Sequence, residues 1–232
     1  MNRIILLLLL SILLISCQGK KESSIKNPDL CETLVKVGSN QICLGKFEGM
    51  KEVYSDPFVK SHMNRAEPEV TDVIGVYLTL EKFDQIDIQN NLISNNGEVF
   101  VDRFKLYVAK NMINVYSSSK ELELLYNRTK DFFKKPEEKK DLLNNNFKDV
   151  NYDIPTFIEA HEIDSNAWTV VTVIKYQAQG IETLRVSLIT AMVLNGKLIY
   201  CNYINEYKND ESISSAIKKN TEFTKMLLKQ NN

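Results

Sequence analysis

The chain has two histidines, and one of them has a partner suited to proton transfer. His161 follows Glu159 by two residues in a segment patterned like a β-strand. Residues two apart on a strand share a face, so the carboxylate could orient the ring while the ring acts as a general base. No serine or cysteine in a strained turn accompanies the pair, and a half-buried histidine satisfied by a neighbour is the competing interpretation. His161 is thus the one candidate for an enzymatic role, whereas His62 is expected on a loop surface.

Three cysteines follow Cys17, and their positions predict different roles. Cys201 lies within a predicted strand, opposite Thr190, where a thiol behaves as a small apolar group. Cys31 and Cys43 are close in sequence in a segment with few other core residues, and a disulfide there would contribute about 3 kcal/mol by chain entropy. A zinc site is the alternative, but two histidines and no Cys-x-x-Cys leave too few ligands. We expect a Cys31–Cys43 disulfide and a buried, reduced Cys201.

Neither composition nor motifs predict a cofactor, a metal or a nucleic-acid partner. The net charge of −1 gives no long-range field for nucleic acid or an anionic surface. The eight glycines form no phosphate-binding loop. Acidic pairs lack the spacing and glycine of a calcium loop; these pairs are Asp84 with Asp87 and Asp149 with Asp153. Tyr200, Tyr203 and Tyr207 could mark a ligand surface, although sheet packing explains them equally.

The elements that would position these residues are clearest near the C-terminus, where four successive strands are predicted at 155–163, 167–178, 184–194 and 197–207. Asn195-Gly196 predicts a two-residue hairpin, because both positions of a type I′ turn need positive φ. This turn sets Arg185 opposite Glu206, a pair of opposite charges across the strands.

The register between the second and third of these strands is less constrained. A two-residue loop at Gln179-Gly180 would set Ile174 against Arg185, whereas a three-residue loop would set Trp168 against Met192. We expect the second, because it keeps the apolar side chains on one face, at the cost of placing Lys175 opposite Arg185.

Both faces of this meander are apolar, so each needs a cover. Ser118-x-x-Glu121 predicts a capping box opening a helix, and a second helix is expected from Pro136 to Leu143. Asn209 opens the C-terminal helix, whose apolar stripe is Ile213, Ala216, Ile217, Phe223, Thr224, Leu227 and Leu228. The predicted fold class is α+β: an antiparallel β-meander sheet covered by helices on both faces.

This order of elements resembles the PsbP-like fold of several bacterial lipoproteins. The resemblance covers the meander, the turn before Lys197-Leu198-Ile199-Tyr200 and the closing helix over 212–229. It implies an α/β/α sandwich and carries no functional residue across, because that family has no common activity.

The N-terminus predicts where the protein is located. After Met1-Asn2-Arg3 comes an apolar run, 4–15, too short to cross a hydrocarbon core of about 30 Å comfortably. It ends at Leu14-Ile15-Ser16-Cys17, which resembles the lipobox of bacterial lipoproteins. The resemblance implies that Cys17 receives a diacylglycerol and becomes the acylated N-terminus. The alternatives are an ordinary secretory peptide or a short anchor.

The predicted organisation is a lipoprotein signal peptide over 1–16, the lipidated cysteine and a polar tether over 17–30, and one globular domain over 31–232. We expect an extracytoplasmic protein anchored by lipid to the cell membrane or the outer membrane. A non-catalytic role, binding an envelope protein or small ligand through loops such as 56–68 and 90–97, is the leading hypothesis. An envelope hydrolase using His161 and an inhibitor of a periplasm-targeted toxin are the alternatives.

Overall fold

The computed structural model describes residues 31–65, 69–89, 101–134, 151–152, 155–178 and 181–232. The predicted signal peptide, Cys17 and the predicted tether lie outside these ranges, as do the binding loop expected at 90–97 and the helix expected from Pro136. Within the described ranges, no helix is both long enough and apolar enough to span a membrane.

In these ranges the chain forms ten strands and four helices. The strands are β1 (Cys31–Val37), β2 (Asn40–Gly45), β3 (Met50–Glu52), β4 (Thr71–Thr79), β5 (Arg103–Ala109), β6 (Asn151–Tyr152), β7 (Thr156–Asp164), β8 (Ala167–Ala178), β9 (Ile181–Leu194) and β10 (Lys197–Glu206). The helices are α1 (Pro57–Arg65), α2 (Leu80–Gln89), α3 (Ser119–Lys134) and α4 (Asp210–Asn231), with a short 3-10 turn at Lys110–Met112.

Eight strands build one antiparallel sheet in the order β3-β4-β5-β10-β9-β8-β6, with β7 also paired to β8. Strands β1 and β2 form a separate hairpin. The α+β class and the large antiparallel sheet are therefore as predicted.

Helix α4 packs on one face of the sheet. Its first turn is closed by a capping box, in which Asn209 and Ser212 each accept the other's backbone N–H. The helix buries its apolar stripe, including Phe223 and Leu227, in the main core. The β1–β2 hairpin contributes Ile42 to the same core, so helix and hairpin cover this face together.

The other three helices contact the opposite face. Successive residues of a strand point to opposite sides, and Leu78 packs with α1 and α2 while its neighbour Tyr77 belongs to the main core. Helix α3 packs further along the same face through Leu122, which belongs to one apolar cluster with Val193 of β9 and Leu198 of β10. The predicted opening of this helix is confirmed, since the Glu121 carboxylate accepts the Ser118 N–H at 2.9 Å.

The predicted register of the β9–β10 hairpin is confirmed. Asn195 and Gly196 have φ values of 50° and 71°, as a type I′ turn requires. Arg185 is accordingly opposite Glu206, and Thr190 is opposite Cys201.

The expected β8–β9 register is wrong by one residue. The strands pair as a two-residue loop dictates, with Ala167 opposite Met192 and Ile174 opposite Arg185. Trp168 therefore points to the α3 side, where its ring stacks on Tyr126 at 4.0 Å. The expected Lys175–Arg185 repulsion does not arise.

The segment expected to be a binding loop at 56–68 is largely a helix. Asp56 accepts the backbone N–H groups of Phe58 and Val59, and Pro57 occupies the first helical position. Residues 66–68 lie outside the described ranges. This part of the loop prediction is wrong, because an aspartate cap followed by proline starts a helix.

Candidate functional site

The Glu159–His161 pair is formed as the sequence predicts. Both residues lie on β7, opposite Val171 and Thr169 of β8. His161 Nδ1 lies 3.1 Å from Glu159 Oε1, and the two side chains are 30% and 49% exposed. The His161 Nδ1 atom is buried and has no hydrogen-bond partner among the described residues, so the carboxylate lies near the imidazole without orienting it as a general base requires.

The hydroxyl group opposite His161, that of Thr169, is buried and hydrogen-bonded within the core. Thr169 is fully buried, and its Oγ1 lies 3.0 Å from that of Thr190. Asn220 of α4 donates its Nδ2 to Thr190 Oγ1 at 3.0 Å. These three side chains form a closed polar cluster between sheet and helix, so Thr169 is not available as a nucleophile beside His161.

Cys201 is a free, fully buried thiol in the main core, as predicted. Burial raises the pKa of this thiol far above its ordinary value, because the thiolate would lose its hydration. A thiol that does not ionise is a poor nucleophile, so its position favours a packing role.

The three tyrosines considered as a ligand surface face different surroundings. Tyr203 is buried on the α4 side and donates its hydroxyl to Asp102 at 2.6 Å. Tyr200 lies on the opposite side and stacks on Tyr107, with ring centroids 5.5 Å apart. Tyr207 lies at the end of the strand and contacts Asp210 at 3.2 Å. The structure does not bring them together into one surface.

Asp102 is a charged residue that the sequence analysis missed. Its φ of 58° places it in the left-handed region, and its Oδ1 also accepts a hydrogen bond from Lys219 Nζ at 2.7 Å. Burial, together with the Asp102 charge, raises the pKa of Tyr203. Asp102 thereby links Lys219 of α4 to Tyr203 of β10. Because Asp102 is distant from both residues in the chain, the sequence pattern does not predict these contacts.

His62 lies on helix α1 and is half-buried, so its expected position on a loop surface is wrong. Burial lowers the pKa of His62, and the charges of Arg103 and Arg65 lower it further. Its ring stacks on Phe58 with centroids 6.4 Å apart. The ring contact lies within α1, and the lowered pKa favours an uncharged His62.

The junction between the predicted tether and the domain is covalently fixed. Cys31, the first residue described, forms a disulfide with Cys43. The backbone N–H of Cys43 donates to Asn231 Oδ1 at 2.7 Å, and Asn231 Nδ2 donates to the Cys43 carbonyl at 2.9 Å. Cys31 is thus linked through Cys43 to the last turn of α4, by one disulfide and two hydrogen bonds.

A second missed carboxylate, Glu52, lies beside this hairpin. It is 8% exposed, and its Oε1 accepts the N–H groups of Tyr54 at 2.9 Å and Val76 at 3.1 Å. Burial raises the pKa of Glu52, although the two N–H groups oppose that shift. The carboxylate takes the place of a backbone acceptor just where β3 ends.

A cleft of about 290 Å³ opens at the C-terminal end of α4. Its lining mixes both charges and amides: Asp164, Asn166, Lys225, Leu228, Lys229 and Asn232. The Asp164 carboxylate already accepts a hydrogen bond from the Asn166 N–H in the β7–β8 turn. The lining therefore favours no particular class of ligand.

Within the described part of the chain, no group of three or more His, Cys, Asp or Glu side chains could hold a metal ion. Compared with known protein families, curated proteins and solved structures, the chain matches none.

Proposed function

We propose that this chain is a lipid-anchored protein of the bacterial cell envelope whose domain binds an envelope partner outside the cytoplasm. The observation that carries the proposal is the Cys31–Cys43 disulfide. Disulfides persist in oxidising compartments, and this one begins immediately after the polar tether. It supports export independently of the lipobox, Leu14 to Cys17.

Binding is favoured over catalysis because the potential nucleophiles on the α4 side are used in packing. The Cys201 thiol is buried, and Thr169 is hydrogen-bonded within the core. A hydrolase remains the second candidate, supported by the 3.1 Å contact between His161 and Glu159.

We also propose that the fold is of the PsbP-like type. The β8–β10 meander, α4 on one side and α3 on the other support this assignment. The test is an experimental structure superposed on PsbP-like domains. A different strand order through the meander would contradict the assignment.

The anchor is tested with Cys17→Ser, labelled in growing cells with an acyl-chain analogue. We expect the variant to lose the label and to accumulate as unprocessed precursor, whereas the tether variant Ser24→Ala keeps both label and processing. Equal labelling of Cys17→Ser and the natural chain would contradict the proposal.

The choice between binding and hydrolysis is tested with His161→Ala and Glu159→Gln, with the exposed Glu162→Gln as the matched control on the same strand. Binding predicts that all three variants, once shown to be folded, leave the cellular phenotype unchanged. Loss of the phenotype in the first two alone, with stability preserved, would establish the hydrolase instead.

A further inference from the structure

The proposed anchor lies N-terminal to Cys31, so tension between the anchor and a bound partner enters the domain at the first residue of β1. Among the described strands, β1 pairs only with β2, and its alternate side chains are exposed, namely Glu32, Leu34 and Lys36. Cys31 is opposite Gly45 at the open end of this hairpin. A pull on Cys31 alone would therefore separate the cross-strand pairs one at a time.

The Cys31–Cys43 disulfide gives this tension a different path. It joins the first residue of β1 to the second half of β2, and the turn of the hairpin lies in the chain between them, 32–42. With this bond in place, a pull on Cys31 is carried directly to Cys43. The segment 32–42 is then a closed loop that bears no tension.

The second half of β2 is held by two other elements. Cys43 is fully buried, and its N–H and carbonyl both bond the Asn231 side chain in the last turn of α4, at 2.7 and 2.9 Å. The Gly45 carbonyl accepts the hydroxyl of Tyr77, on β4, at 2.8 Å. The Gln230 side chain lies so close to Gly45 that a Cβ atom there would collide with it. Tension that reaches Cys43 is therefore opposed by α4 and by the large sheet.

Opening of the hairpin would change both the core and the reach of the anchor. Val37 and Ile42 belong to the main core, so separation of β1 from β2 would uncover part of the α4 side. The freed chain would also lengthen the connection by up to about 35 Å, because an extended chain spans about 3.5 Å per residue and the bonded Cα atoms are 5.4 Å apart. The disulfide prevents both changes.

We infer that the Cys31–Cys43 disulfide is a mechanical link that carries tension from the N-terminal tether to β2 and α4, so that the hairpin stays closed and the anchor keeps a fixed reach. The inference rests on the proposed lipid anchor, which supplies the tension. It assigns to the disulfide a role that is distinct from its effect on global stability.

The experiment stretches single molecules of the full lipidated chain, held in detergent, between handles at positions 24 and 208. Position 24 lies in the predicted tether, and Lys208 is exposed before α4. We expect the natural chain to unfold without an early step. Cys31→Ala with Cys43→Ala should first lengthen by about 15–35 Å at lower tension, the smaller value if separation stops at Asn40, which bonds Asn195. An early step in the natural chain, or none in the double variant, would overturn the inference.

The direction of pulling separates this role from a general loss of stability. Handles at positions 46 and 208 apply the tension after β2, so the disulfide lies outside its path, and Lys46 is exposed. We expect no early step in either protein with these handles. The same early step with both pairs of handles would overturn the inference, because it would report a weakening of the whole domain.

A second way of opening the link does not depend on the folding of the double variant. A dithiol added to the folded natural chain reduces the disulfide to two thiols and is itself oxidised to a cyclic disulfide. With handles at positions 24 and 208, the early step should then appear within the same recording. Its absence after reduction, verified by mass spectrometry of a parallel sample, would overturn the inference.

The contribution of α4 is tested with the disulfide intact. Asn231→Ala removes both hydrogen bonds to Cys43. At a fixed tension through positions 24 and 208, its first opening should be at least tenfold faster than that of the natural chain. Lys229→Ala, exposed on the same turn, should leave this rate unchanged. Equal rates for Asn231→Ala and the natural chain would overturn the transfer of tension to α4. Labelling of Cys17 tests the anchor separately, because these recordings need no membrane.

Discussion

The two faces of the large sheet are built differently. On the α4 side, one continuous core includes Phe223, whose ring stacks on Phe104 at 3.9 Å and meets Tyr77 edge-on at 4.9 Å. On the other side the apolar contacts divide into two clusters, one under α1 and α2 and one under α3. Between them, β5 and β10 present Lys105 opposite Asn202.

This difference indicates where the folding free energy is concentrated. The residues of a continuous aromatic core are shielded from water together. A cavity created there therefore removes packing contacts from many neighbouring residues. Two small clusters separated by polar side chains can be disturbed one at a time. The α4 side should therefore determine global stability, and the opposite side should tolerate change.

The strongest test compares truncations on the two faces. Phe223→Ala should destabilise the domain by about 4–5 kcal/mol, because it removes a ring from the centre of the aromatic core. Leu122→Ala, in the small α3 cluster, should cost about 2–3 kcal/mol. Urea unfolding of both variants measures the difference, with the exposed Lys225→Ala as a control on α4. Equal losses for the two core variants would refute the contrast between the faces.

The same contrast explains which parts of the fold could be predicted. The β9–β10 register was predictable because Asn195-Gly196 restricts the backbone itself. The β8–β9 register was not, because both faces are apolar and either position suits Trp168. The polarity of Thr169 and Thr190 did not indicate the register, because both side chains are buried and accept hydrogen bonds from Asn220 Nδ2.

Other elements had local signals that the sequence analysis did not use. Asp56-Pro57 combines an N-cap with proline at the first helical position, which indicates α1. Thr79 caps α2 in the same way, since its Oγ1 accepts the Lys82 N–H at 3.3 Å. The contact between the turns of the two hairpins had no such signal, because Asn40 and Asn195 are 155 residues apart in the chain.

The second prediction concerns how the hairpin is fastened over the α4 side. Cys31→Ala with Cys43→Ala should lower the free energy of unfolding by about 3 kcal/mol, because the unfolded chain regains the closed loop. Urea unfolding of the oxidised natural chain and the double variant measures the loss. The reductant control should reproduce it in the natural chain and leave the variant unchanged. A loss below about 1 kcal/mol would show that the β1–β2 ladder and Asn231 alone hold the hairpin.

The third prediction is a pH dependence caused by Glu52, with a smaller effect. Its pKa is raised in the folded chain, so the folded state binds a proton more tightly than the unfolded state. Stability should therefore fall as pH rises from the ordinary glutamate pKa through the raised one. Glu52→Gln keeps an oxygen for the Tyr54 and Val76 N–H groups and should flatten this part of the profile. Thermal melts across that pH range test it, with the exposed Glu48→Gln as control. An unchanged profile for Glu52→Gln would contradict the prediction.

The smallest expected effect is on the side of the sheet that faces α1, α2 and α3, where Arg185 lies opposite Glu206. Opposite charges in this position contribute about 0.2–1 kcal/mol. The Glu206 carboxylate, however, lies 3.2 Å from Lys208 Nζ and is 56% exposed, so Lys208 shares its charge and water screens it.

We therefore expect a coupling of only about 0.2–0.5 kcal/mol between the two opposite residues. Arg185→Glu or Glu206→Arg alone should destabilise slightly, and the double exchange should recover part of the loss. Unfolding of the four proteins, repeated with Lys208→Ala, measures the coupling. Because Lys208 competes for Glu206, its removal should increase the Arg185–Glu206 coupling. A coupling above about 1 kcal/mol before that removal would contradict the prediction.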